Sequence, residues 1–286
     1  TGVQTCALPI LGRQTMRLFR KLFAEKILRY YEGTEGGIRL IKSLPLVKKH
    51  LKEDAFGEKS KGRMAVGIIS QLIMLLWEFI RKLLYVWLFM FIPYMIMAHF
   101  FPLIKLHQDT TIIYLFVMLS TICGSFSNTT IFAMGDRDYL MIRVMLVSPY
   151  MNFLGKFIYK IVTEFVFYFI ILMIFQVPVL NSLMLCILTV CSRPIGEMFA
   201  IIAFDHFRGI YENRSVLNGT IMAICVLLAY GLPVLNRSVS ATWIYAIHPF
   251  VIVIMLVLGA GAMYFLWWYK YYRVIIREAM HNKREF

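Results

Sequence analysis

Asp136 and Asp138 flank Arg137, a spacing at which two carboxylates could hold a divalent cation against a phosphate group. At a helix start the same pair caps backbone N–H groups and complements the helix dipole. The further acidic ligands that a metal site needs are missing nearby, so capping is the stronger reading. Arg193 and Glu197 lie four residues apart inside an apolar run and share one face of a helix. Ser125, in Gly124-Ser125-Phe126-Ser127, is a nucleophile candidate by position, but no glycine follows and no histidine partner can be placed. Asn128 stands among Ser120, Thr121, Ser127, Thr129 and Thr130, residue types that bond across packed helices or line a polar path. The six histidines show no HExxH or related ligand spacing, and there is no GxxxxGK[ST] phosphate loop. We expect no metal, no cofactor and no catalysis by this chain.

The elements that must position these residues are membrane elements. Of 286 residues, 60% are hydrophobic and 15% aromatic, well above the ~45–50% apolar share of soluble domains, and the mean hydropathy is +0.70. The net charge of +14 suits an anionic lipid surface, since the apolar runs leave no soluble domain to face nucleic acid. Cys123, Cys186, Cys191 and Cys225 fall in apolar runs and read as buried free thiols. The expected fold is all-α and polytopic, with about six transmembrane helices and amphipathic interfacial helices.

Residues 1–10, TGVQTCALPI, resemble at all ten positions the translation of a sequencing adapter, so they are set aside and native sequence is expected upstream of Leu11. Residues 11–82 are basic and read as cytoplasmic and interfacial helices, residues 68–82 being an approach helix that ends in Glu78, Arg81 and Lys82. Spans are expected at 83–104, 110–134, 161–179, 180–204, 218–235 and 243–268, near the ~20 residues that a bilayer core requires. Pro93 should kink the first. Glu164 should snorkel or pair with Lys160. Arg193 costs about 2.5–3.5 kcal/mol in mid-bilayer unless it is paired or faces water.

Residues 135–160 carry the charges of a surface segment. The two aspartates start a short helix over 139–147, and Ser148-Pro149 stops it and begins another. With both termini inside, 27 of the 30 Lys and Arg residues lie on the cytoplasmic side. Lys105 and Arg237 lie outside and Arg193 within a span. That asymmetry sets the orientation. The tail 270–286 is then basic and cytoplasmic.

The basic lead-in with Tyr30-Tyr31-Glu32, the segment from Asp136 to Lys160 and the Ser148-Pro149-Tyr150 break resemble the membrane domain of type-2 ABC exporters, and in particular ABC exporter permeases of Gram-positive bacteria. The resemblance covers most of residues 16–275 and rests on architecture and short motifs. It implies a multi-pass plasma-membrane subunit, paired as a homo- or heterodimer of membrane domains and driven by a separate ABC ATPase subunit. It also implies that Asp136, Arg137, Asp138, Tyr139 and Arg143 dock on that ATPase. Arg193, Glu197, Ser125 and Asn128 are the intramembrane polar candidates. A membrane-embedded lipid-modifying transferase using Asp136, Asp138 and Arg193, and a non-transporting scaffold, are the alternatives.

Overall fold

The computed structural model describes residues 61–132, 142, 148–206 and 214–269, so the coupling candidates Asp136, Arg137, Asp138, Tyr139 and Arg143 lie outside the described residues. Among the described residues every regular element is helical and none is a strand. In hydrocarbon a helix satisfies its own backbone groups, and long apolar runs leave that solution as the natural one. Six helices are long and apolar enough to cross a membrane: Ala65–Phe100, Gln108–Ser127, Pro149–Ile174, Val179–His206, Val216–Asn236 and Pro249–Trp268. They are the first to sixth spans below, and the chain is a multi-pass membrane protein.

The chain divides into two compact units, residues 1–81 with 141–155, and residues 82–140 with 156–286. In the described part of the first unit, the helix from Lys61 exposes Ile68, Ile69, Leu72, Ile73, Leu76 and Trp77. The helix from Pro149 begins as its sequence dictates. Pro149 occupies the first position, where a missing N–H costs nothing, and the Asn152 N–H donates to the Ser148 carbonyl at 3.1 Å.

In the second unit the second and fourth spans are the interior, with 78% and 67% of their apolar windows buried, whereas the fifth has 17% and the sixth 22%. Ile112 to Phe116, Leu119, Leu185, Cys186 and Leu188 fill the centre. Phe116 meets Tyr168 edge-on at 5.5 Å, and Phe91 stacks on Phe175 at 3.7 Å. The fourth and sixth spans approach closely at Gly259, where a Cβ would stand 3.0 Å from the Cys191 carbonyl oxygen. Pro249 opens the sixth span, capped by the His248 ring, which accepts from the Phe250 N–H at 3.3 Å.

Several boundaries differ from those read in the sequence, each for a local reason. The helix from Lys61 does not stop at Lys82 but continues through a π-helical turn at Trp87–Phe91 to Phe100. Lys82 is accommodated without a break, because its ammonium lies 5.0 Å above the Phe167 ring and 3.4 Å from the Thr163 hydroxyl. The second span ends at Ser127 instead of 134, since side chains of other spans take the backbone groups that would have prolonged it. The third begins at Pro149 and absorbs Lys156 and Lys160. The fifth runs through Pro233 without ending, and a 3-10 helix, Ala241–Ile247, precedes the sixth.

Candidate functional site

The polar residues of the spans converge where the second span gives out. At 1.5 Å of rise per residue, Arg193 lies about 21 Å along the fourth span from Val179 and Gly124 about 24 Å along the second from Gln108, within a hydrocarbon core of ~30 Å. At that depth an ion must find partners in the protein. The Arg193 guanidinium donates from Nε to Glu164 Oε2 at 2.6 Å and from Nη2 to Glu164 Oε1 at 2.8 Å. This two-pronged geometry suits a planar fork facing a carboxylate. Its Nη1 donates to the Gly124 carbonyl. Both partners are about 5% exposed.

Glu197, 2% exposed, sits one helical turn on. It does not use its carboxylate on Arg193. It accepts instead from the backbone N–H groups of Thr130 and Ile131, the latter at 3.1 Å. Lys160 of the third span donates to the Asn128 carbonyl and stands 3.5 Å from the Thr130 hydroxyl. The charges are thus sorted by the end of the backbone they meet. Two cations take carbonyls at the C-terminal end of the second-span helix, as the helix dipole favours, and a carboxylate accepts from the N–H groups just beyond it.

Hydroxyls and glycine fix the register. Ser125 Oγ is 2.7 Å from Ser192 Oγ, and Thr121 Oγ1 is 3.2 Å from Thr189 Oγ1. Gly196 lies so close to the Ser125 carbonyl that a Cβ there would collide with it. The polar stripe of the second span therefore works in helix packing, and two formal cations balance two formal anions.

Of the intramembrane candidates, Arg193, Glu197, Ser125 and Asn128 all belong to this cluster, Asn128 through its carbonyl alone. Glu164 and Lys160 complete it. They were not singled out in the sequence as site residues, and the partner of Glu164 is Arg193, not lipid headgroups or Lys160. The signal was present: a lone acid in the third span and a lone base in the fourth lie at comparable depth and can discharge each other's cost. No group of three His, Cys, Asp or Glu side chains among the described residues could hold a metal ion.

Such a site holds its elements in place. Glu197→Gln should lower stability by about 1–3 kcal/mol, because an amide presents one acceptor and one donor to two N–H groups. Thermal unfolding in detergent measures this, and an unchanged midpoint would refute the assignment of both N–H bonds to Glu197.

Compared with protein-family models, curated proteins and solved structures, the chain matches none.

Proposed function

We propose that the chain is the membrane-spanning permease subunit of an ABC-type exporter, in which a separate ATPase subunit hydrolyses ATP. Both termini face the cytoplasm, the spans lie in the plasma membrane as one half of a homo- or heterodimer, and the basic N-terminal region rests on anionic lipid. The six spans and the one-sided distribution of Lys and Arg support this reading. So does the resemblance of segment 135–160 to the ATPase-docking loop of type-2 exporters.

The observation that carries it is the tethering of that segment at both roots. On the side of the second span, the backbone of 128–131 is held by Lys160 and Glu197. On the side of the third, Lys160 and Glu164 belong to the same cluster. A displacement of the backbone at 128–131 or of Lys160 would therefore reach the second, third and fourth spans together, as a coupling element between ATPase and membrane requires. Packed helices with discrete hydrogen-bonded partners pass on such a displacement as a rigid shift.

Asp138→Ala and Arg143→Ala, singly and together, test the reading. The expected result is loss of ATPase co-purification, with ATP turnover of the reconstituted complex reduced about tenfold or more. Full retention of both would defeat the proposal. A neighbouring reading frame with a phosphate loop is the matching genomic expectation.

A further inference from the structure

The fifth span is the least buried of the six, and Leu227 and Leu235 are 70% and 79% exposed. Two tyrosine hydroxyls attach it to neighbouring spans. Tyr230 of the fifth span donates to the Phe89 carbonyl of the first at 2.6 Å. Tyr114 of the second donates to the Leu228 carbonyl of the fifth at 2.6 Å.

Both acceptors lie beside breaks in a helical ladder. Pro93 has no N–H to return to Phe89 four residues back, and the helix around Phe89 is widened into a π turn at Trp87–Phe91. Leu228 adjoins Ala229, the carbonyl that Pro233 leaves without its helical donor. Each proline thus loosens its own helix at the level where a tyrosine of another span reaches it. At the far end the span stops at Asn236, and Arg237 adopts a left-handed turn with φ 54°. Beneath the clasp, the Cys225 thiol of the fifth span lies near the Cys123 thiol of the second. Both cysteines are 7% exposed.

We propose that the fifth span is a hinged flap on the side of the molecule, closed by the Tyr114 and Tyr230 hydroxyls and pivoting near Pro233, which uncovers the face of the second span around Cys123 when it swings out. The flap is a property of this chain and does not depend on an ATPase partner.

The native cysteines report on it. The chain is reconstituted in vesicles of phosphatidylethanolamine and phosphatidylglycerol, treated with N-ethylmaleimide, and its labelling rates are resolved cysteine by cysteine by mass spectrometry. Maleimide adds the sulfur to its double bond and the thiol proton ends on the adjacent carbon, so no oxidant is involved. Tyr114→Phe with Tyr230→Phe keeps both rings, including the Tyr114 contact with Trp243 at 4.7 Å. The double variant should speed labelling of Cys123 and Cys225 about five- to tenfold, the change in open population that two interhelical hydrogen bonds of ordinary strength govern. Cys186 and Cys191, buried in the fourth span, should keep their wild-type rates. Unchanged rates at Cys123 and Cys225 would overturn the proposal. A uniform rise at Cys123, Cys186, Cys191 and Cys225 would do so too, since it marks general loosening.

Discussion

Arg193→Met is expected to cost about 3–5 kcal/mol of stability, the usual penalty for leaving one member of a buried ion pair without the other. Methionine fills much of the same volume, so the loss comes from charge. Glu164 would keep a carboxylate 5% exposed with neither guanidinium prong against it, and the Gly124 carbonyl would lose its donor. The decisive comparison is the double variant Arg193→Met with Glu164→Leu. With both charges removed, no ion is stranded, and most of the lost stability should return. Thermal or denaturant unfolding of the four proteins in one detergent closes the cycle. If the two single losses simply add in the double variant, Arg193 and Glu164 do not act as a pair.

Gly196→Val should be comparably severe for a steric reason. The fourth span passes the end of the second so closely that any Cβ at this position runs into the Ser125 backbone carbonyl. A backbone group cannot rotate away as a side chain can, so the helices must separate, and the cost should reach about 3 kcal/mol or more. Separation would also pull Ser192 from Ser125, and Glu197 from the N–H groups of Thr130 and Ile131. Gly261→Ala is the control, since a Cβ there meets nothing within 4 Å. It should leave folding yield unchanged or raise stability by roughly 0.5–1 kcal/mol through helix propensity. Yield after size-exclusion chromatography separates the two variants, and equal behaviour would contradict the close approach.

The class of fold was legible because membrane solvation writes itself into composition: twenty-residue apolar stretches admit few structures other than helices. Arg193, Glu197, Ser125 and Asn128 were visible for the same reason, as polar residues in apolar surroundings. Their partners were not. Which acid meets Arg193 depends on how the third and fourth spans are rotated and set in depth against each other. Periodicity within one helix carries no such information, and the i,i+4 rule drew Glu164 toward Lys160. Helix ends were misplaced where a side chain from another span decided them, as Glu197 does at 130–131. At Lys82, charge suggested an end, yet aromatic rings and Thr163 let the helix continue. Proline at 149 starts a helix in both views, because that preference is local, whereas the sixth span, read from 243, starts only at Pro249.

The pairing of Glu164 with Arg193 also bears on how the protein is made. Both residues belong to one hairpin, whose third and fourth spans are joined by the short turn at 175–178, with Gln176 in a left-handed conformation at φ 60°. The acid leaves the ribosome first and the base follows within the next thirty residues. Each half of the hairpin alone carries an ion without the partner it meets in the fold, while the two together bring Glu164 and Arg193 into a pair. The third and fourth spans should therefore enter the bilayer as one unit, and a nascent chain halted between them should hold its third span only loosely until Arg193 arrives.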